Sequence, residues 1–390
     1  MKLLDWLSWW MRYILPVLGW RVTVTLLRGP ARGTGREVVL LSAGHVAAFM
    51  TSRIFAQEPV VVRRTRVPVW RLQRLLDEWR SAADLQAVRL DRVSARRFLS
   101  PHYLAVPQWI SNWMKVPEDL QKYGREHPST RSDFHRIRTR NFESHLSHVP
   151  GDLDLFYEKF YLPYTTARHG SLAQVAPRWM LRFVYRQGAI LWVTRGGERL
   201  SGSLVTFQNG QLASYVNGLK DGRMDLLKDG ALSALYVHSL LEARRQGCTE
   251  FNMGGSRPSL HDGVFRYKSK WTERLCLGEA FVAVNTLTLL DWNCLNGAVA
   301  EFLSQTSLIH HDGEGFSALW AFPHDQPLTA ATLGRHCQQL KAPGLRRFVI
   351  LLPGAVPEGF ICPLGICLIE GDTAEKIRAG EITAFEQPRP

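Results

Sequence analysis

The residues best suited to chemistry lie between Thr249 and Trp271, in the run TEFNMGGSRPSLHDGVFRYKSKW. Arg257, Asp262 and Lys268 set a planar cation, a carboxylate and a point charge within twelve positions of one another. Gly254, Gly255 and Ser256 precede them, and such a turn can aim successive backbone N–H groups at an anion. The set suits acyl transfer to an amine. That reaction needs a deprotonated nucleophile, a held acyl donor and positive donors at the developing oxyanion. Lys268 can supply the charge at the oxyanion. Asp262 can orient or deprotonate the amine, and so can His169. Arg257 and Arg168 can each clamp an acid group through paired N–H donors. The same run also reads as a β-hairpin with Phe265 and Trp271 in the core and its lysines in solvent, and the spacing alone does not separate the two.

These residues need elements to hold them. Thr249–Met253 alternates as a short strand, and Gly254–Gly263, with three glycines and a proline, reads as a loop. Val264–Trp271 continues as a strand, which places Lys268 on one face with Arg266 and Lys270 and turns Tyr267 to the other. Ahead of it, Asp229–Gln246 is a long amphipathic helix closed by Gly247. Four strands are expected before that helix, at Leu181–Tyr185, Ala189–Thr194, Arg199–Phe207 and Leu212–Gly218. Their turns are Gln187-Gly188, Gly196-Gly197 and Asn209-Gly210. Helices are expected at His127–Asn141, loaded with arginine, and at Asp152–Ala167. Earlier still, strands at Arg21–Leu27, Glu37–Leu41, Pro59–Val67 and Leu85–Leu90 alternate with helices at His45–Phe55 and Arg71–Arg80. Pro101–Pro117 reads as irregular. Leu277–Val284 can return as a strand, and from Thr306 onward a further α/β segment follows.

The chain has 390 residues, 45% of them apolar, enough for two or three domains. Its net charge of +13 is uneven. Residues 1–150 hold 24 Lys and Arg against 12 Asp and Glu, while the remaining 240 hold 24 against 23. An acidic partner is therefore expected for the first part: anionic lipid, nucleic acid or a phosphorylated substrate, against the plain alternative of an arginine-rich soluble surface. The six cysteines have no metal or redox spacing, so no metal is expected and a reducing, cytoplasmic setting is. Met1–Gly19 carries Trp6, Trp9 and Trp10, with Asp5, Ser8 and Arg12 on one helical face. It reads either as a helix lying on the inner face of the cell membrane or as one docked on its own protein.

Three passages in order, FYEKFYLPYTTARHG, LSGSLVTFQNGQLASYVNGLKDG and RRQGCTEFNMGGSRPSLHDGVFRYKSKW, resemble the acetyltransferase-like (GNAT) domain of FemAB-type proteins. That group includes peptidoglycan bridge-forming aminoacyl transferases and BioF2-like acetyltransferases. The resemblance covers roughly residues 125–285. It implies an α+β, GNAT-like acyltransferase fold, with residues 20–124 as a diverged first GNAT-like domain and 286–390 as an extra α/β segment. It implies Lys268, Asp262 and His169 as catalytic residues. Arg257, Arg168, Tyr164, Tyr215, Asn217, Asn252 and Trp271 become substrate-binding candidates, and Gly254, Gly255, Ser256, Lys228 and Gly230 donor-binding ones. The implied activity is transfer of an acyl or aminoacyl group to an amine of a cell-envelope, polysaccharide or peptide acceptor. The donor stays open between acyl-CoA and aminoacyl-tRNA. The phosphate-cradling turn of acetyl-CoA users reads here Leu227-Lys228-Asp229-Gly230-Ala231-Leu232, keeping Gly230 and adding the negative Asp229. A basic N-terminal portion would suit tRNA phosphates. A non-catalytic scaffold that has lost its donor site is the second reading.

Overall fold

The computed structural model describes residues 21–370, apart from 45, 47, 101–102, 278–285, 294, 296, 312–314 and 324. The tryptophan-rich start, the tail and most of the strand expected at 277–284 lie outside the described residues. Along the chain come β1 (Arg21–Pro30), β2 (Glu37–Ala43), α1 (Ala48–Ile54), β3 (Val60–Pro68), α2 (Leu72–Trp79), β4 (Leu85–Asp91), α3 (Arg92–Phe98) and β5 (Leu104–Pro107). Next are β6 (Ile110–Lys115), α4 (Leu120–Glu126), α5 (Pro128–Thr139), β7 (Glu143–Ser147), α6 (Asp152–Phe156), a π-helical turn at Tyr157–Tyr161, α7 (Leu162–His169) and α8 (Arg178–Tyr185). Then follow β8 (Gly188–Arg195), β9 (Glu198–Gln208), β10 (Gln211–Leu219), α9 (Met224–Asp229), α10 (Ala231–Arg245), β11 (Glu250–Ser256), α11 (Gly263–Lys268) and β12 (Arg274–Leu277). The last are β13 (Thr286–Trp292), α12 (Gly297–Thr306), β14 (Leu308–His311), β15 (Phe316–Ala321), α13 (Ala330–Leu340), β16 (Arg347–Leu352) and β17 (Ile366–Glu370). The fold is α+β.

The chain forms two compact units. The first gathers the described residues up to Ile110, Ser256–Arg266 and those from Leu277 on; the second is Ser111–Gly255 with Tyr267–Cys276. These bounds differ from the sequence division at 124 and 285. In the first unit a six-stranded sheet runs β3-β1-β2-β4-β13-β5. β13 comes from the stretch read as a separate C-terminal segment, yet it pairs antiparallel with both β4 and β5. One sheet face packs Val22, Val24, Leu41 and Val88 on Leu72, Leu76 and Trp79 of α2. The other packs Leu40, Leu85 and Trp292 on α1, α12 and part of a four-stranded sheet, β14-β15-β16-β17.

The second unit's sheet runs β12-β6-β11-β10-β9-β8-β7. β7 to β10 form an antiparallel meander, and α10 then crosses to β11, which lies parallel to β10. This is the GNAT-like layout: meander, helix, parallel strand. It forms because standard turns at Gly196-Gly197 and Asn209-Gly210 join strands that are buried almost throughout in β8 and β9, and because α10 buries Ala234, Leu235, Leu240 and Ala243 at helical spacing. Gly247, at φ +70°, ends that helix, and the Cys248 N–H donates back to the Ala243 carbonyl at 2.8 Å.

Three sequence expectations fail. Leu181–Tyr185 is not a strand but the end of α8, with Leu181 buried and Trp179 and Phe183 outward. A short apolar run fits both periods, and Pro177 at the helix start tips this one. Pro101–Pro117 is not irregular, since it holds β5 and β6, both almost wholly buried and so without alternation. Val264–Trp271 is not a strand: Gly263–Lys268 is helical.

Candidate functional site

The second unit carries a polar cluster where β10 and β11 part. Their ladder holds only for Gln211↔Glu250, Leu212↔Phe251 and Ala213↔Asn252. Beyond it, β10 has a register irregularity between Ser214 and Val216 and stays with β9. Gly254, at φ +80°, approaches the Ser214 carbonyl so closely that a Cβ would lie 2.5 Å from that oxygen. Only glycine fits both the backbone angle and the space. Parallel strands that separate leave a crevice at their carboxyl ends, the usual place for a ligand in such sheets. Because α10 connects the two strands, its N-terminus starts from that same end.

Small polar groups line the parting. The Ser203 and Ser214 hydroxyls lie 2.9 Å apart, and Ser214 donates to Asn217 Oδ1 at 3.1 Å. Asn252, buried, accepts the Gly254 N–H on Oδ1 at 2.9 Å. Lys268, only 5% exposed at the end of α11, donates from Nζ to the Gly255 carbonyl at 2.8 Å. A buried ammonium needs such partners, because taking the charge out of water is costly. Asn112 on β6 donates to the Gly254 carbonyl at 3.4 Å, and the Thr272 hydroxyl lies between Asn112 Oδ1 and the Lys268 carbonyl. The cluster thus ties β6, β10, β11 and the end of α11 together. Asn112, Ser203, Ser214 and Thr272 were not singled out by sequence. Ser203 sits among other buried polar residues of β9, Ser201 and Thr206, so nothing in the sequence set it apart.

A second group surrounds the start of α10. Gly230, at φ +96°, precedes the helix, and Arg136 packs so close that a Cβ at Gly230 would lie 2.6 Å from its Cδ. Asp229 pairs with Arg140 at 3.5 Å and Arg195 at 3.3 Å. In the first turn Ser233 donates to the buried Asp133 at 3.0 Å, and the Tyr267 hydroxyl donates to Ser233 at 2.8 Å. Burial first, then the Asp133 charge, pushes the Tyr267 ionisation well above its ordinary range, so the phenol stays a donor.

The candidates divide as follows. Lys268, Asn252, Asn217, Gly254 and Gly255 come together at the parting of β10 and β11. Tyr215, beside them in sequence, is 48% exposed. Gly230 and the exposed Lys228 sit at the approach to α10. Tyr164, Arg168 and His169 lie on α7, with Tyr164 buried in the core and its hydroxyl harder to ionise for that reason. Trp271 is 1% exposed and near-parallel to the rings of Tyr123 and Tyr236. It is a core residue in this structure. Ser256 is buried at the end of β11 and is grouped with the first unit. Arg257 and Asp262 also belong to the first unit. Arg257 lies 4.3 Å over the Phe49 ring, and burial lowers its affinity for a proton. Asp262 accepts the Val264 and Phe265 N–H groups at 3.0 and 2.9 Å, an N-cap for α11. That cap explains why the stretch is helical and why Lys268 is not arrayed with Arg266 and Lys270 along a strand.

No known protein family matches the chain, and no curated protein matches it in sequence. Among solved structures it is similar to FemX, at 14% identity and TM-score 0.36, over 67% of this chain and 83% of that one. It is also similar to L-PGS from Bacillus licheniformis, at 12% and 0.34 over 65% and 76%. A GCN5-related N-acetyltransferase from Kribbella flavida gives 10% and 0.29 over 69% and 55%. Likenesses this loose leave the layout of the second unit to be read from its own strand order.

Proposed function

We propose that the protein is an N-acyltransferase that moves an acyl or aminoacyl group to an amine of a cell-envelope, polysaccharide or peptide acceptor. The observation that carries this reading is the parting of β10 and β11 beyond Ala213 and Asn252, lined by Ser203, Ser214, Asn217 and Asn252. In the proposal, the acyl group of the donor enters this crevice and its phosphates lie toward Gly230 at the start of α10, where helix N–H groups favour anions. Lys268 holds positive charge at the rim and keeps the Gly254–Gly255 backbone in place. The acceptor amine comes from the side of α7, where His169 and Arg168 are the proposed base and acid clamp. The donor is either an acyl-CoA or an aminoacyl-tRNA, and Arg136, Arg140 and Arg195 supply cations for the phosphates of either. The first unit is proposed as the diverged partner domain.

A specific observation favours the second reading, a non-catalytic binding protein: Asp229 already occupies Arg140 and Arg195 at the turn a donor would use. One experiment separates the two. Acetyl-CoA, longer acyl-CoAs and charged tRNA are each titrated into the protein, with melting temperature and native mass read out. A true donor stabilises by mass action, by about 2.7 kcal/mol at a hundredfold excess over Kd. Absence of any donor-dependent shift in the melting temperature rejects the enzyme reading.

A further inference from the structure

β3 is an edge strand of the first unit's sheet. It pairs antiparallel with β1 along one side, and no described strand lies on the other. Along its nine residues, about every second one turns its N–H and C=O outward, where another strand can pair with them. Natural edges are commonly blunted by a bulge, a proline or a cover; here the only proline closes the strand at Pro68, and one register shift falls at Val62, between the pairs Leu26↔Arg63 and Leu27↔Val61, leaving the backbone from Arg63 to Val67 regular. The side chains divide into two halves. Val60, Val61 and Val62 are 69%, 45% and 46% exposed. Arg63, Arg64 and Arg66 follow, all exposed, with Arg71 and Arg74 exposed just beyond. Residues 60–74 thus carry five exposed arginines and no acid, and among the described residues none of the five has an ion pair. Arg63 rests over the Trp79 ring at 4.2 Å, so its guanidinium is held beside the strand.

We infer that β3 is a docking edge for an extended polypeptide, whose strand adds to the sheet with apolar side chains opposite Val60–Val62 and carboxylates opposite Arg63–Arg66. Charge complementarity selects the acidic half, because arginine forks match carboxylates geometrically. The bare backbone edge selects a strand, since main-chain pairing gives affinity and alternate side chains give register. A second copy of this chain fits poorly: two antiparallel β3 edges centred on one another set Arg64 against Arg64 and Arg66 against Val62, with no carboxylate for any arginine. A lipid surface or an RNA can meet the arginines. Neither pairs with the backbone edge, and RNA offers nothing to the three valines.

The test uses the full chain and synthetic peptides of about ten residues, one half valine and threonine, the other half glutamate alternating with threonine, made in both orders. Affinity is read by fluorescence anisotropy. Backbone pairing is read by hydrogen exchange of the Val60–Val67 amides. One of the two orders should bind and slow exchange along β3. A triple variant, Arg63→Glu with Arg64→Glu and Arg66→Glu, should weaken it by roughly 30-fold while keeping the far-UV spectrum, with only a small fall in melting temperature from the lost Arg63–Trp79 contact. A peptide of the same charge with proline at every second position should not bind, because it cannot pair as a strand. Equal binding of the proline peptide overturns the inference, since charge alone would then suffice. No binding of either order up to millimolar concentration overturns it as well. Binding of phosphatidylglycerol vesicles or single-stranded RNA through the same arginines, without amide protection or peptide binding, assigns the surface to those partners instead. Self-association lost in the triple variant, without peptide binding, assigns it to a second copy.

Discussion

Lys268→Met is the most informative single change. Methionine keeps most of the unbranched stem, so packing around it persists, while the ammonium and its bond to the Gly255 carbonyl are lost. A hydrogen bond from a charged donor contributes about 1.5–3 kcal/mol. Against this stands relief of the desolvation cost of a side chain only 5% exposed, which returns part of the loss. The net destabilisation expected is about 1–2 kcal/mol, or roughly 3–6 °C for a unit of this size. A modest fall in melting temperature is thus expected, where a lysine in solvent would give none. If Lys268 also steadies the oxyanion, turnover falls by about 10²–10³. The two effects separate when turnover is measured at least about 10 °C below the variant's midpoint, by which point the 1–2 kcal/mol loss leaves almost all of it folded. Wild-type kcat there, with the melting temperature lowered, makes Lys268 purely a strut for Gly254–Gly255. An unchanged melting temperature refutes the burial argument itself. Lys268→Arg should recover little of either, because a planar fork does not fit the place of a compact ammonium.

Gly254→Ala should cost at least about 2 kcal/mol in urea unfolding, from the φ of +80° and the contact at 2.5 Å with the Ser214 carbonyl; a neutral result would show that the strands part more widely than described. Asp152 is held below its ordinary value of 3.8: burial works against ionisation, but bonds from Ser147, Trp192 and Arg199 outweigh it. Its contribution is therefore complete above about pH 4 and is lost as pH falls through the lowered value. Asp152→Asn should be less stable at pH 7 and flatter than wild type in acid, and parallel pH curves for the two proteins would contradict this. Removing residues 1–19 should release the protein from anionic liposomes if that segment is a membrane anchor; the full-length chain failing to bind them would end that reading.

Much of the second unit was legible because its strands are apolar runs bounded by the turns Gly196-Gly197 and Asn209-Gly210. β8, β9, β10 and α10 follow those signals closely. β7, with the sequence ESHLS, was missed because it is an outer strand with little apolar content. The pairing of β13 between β4 and β5 was out of reach for a different reason. Nothing local in Thr286–Trp292 says that its neighbours lie some 180–200 positions earlier. In the candidate site, Lys268 and Gly254 were singled out from residue type and spacing and lie together in the structure, but the role of Asp262 was hidden by the dipeptide Asp262-Gly263, which reads as a turn and here starts a helix. Phe265 and Lys268, three apart and both buried, were the helical signal, and a charged residue at a buried position masks such a period.

In the proposed acyl transfer, the charge at the start of α10 would decide what kind of donor the second unit takes. Each helix N-terminus carries about half a positive charge. Here Asp133 already faces it through Ser233, and Asp229 stands one residue ahead of Gly230. Arg140 and Arg195 balance Asp229, but both pairs are a third to a half exposed, so each contributes only about 0.2–1 kcal/mol. Separating them is cheap. A carboxylate left facing a phosphate is not: at about 4 Å two like charges near a protein surface repel by up to about 4 kcal/mol. A diphosphate can therefore take the arginines only if Asp229 swings away. Arg136, packed against Gly230, stands beside the same aspartate. In the proposed acyl transfer, the position of the phosphates relative to Asp229, more than the count of arginines, would discriminate between donors.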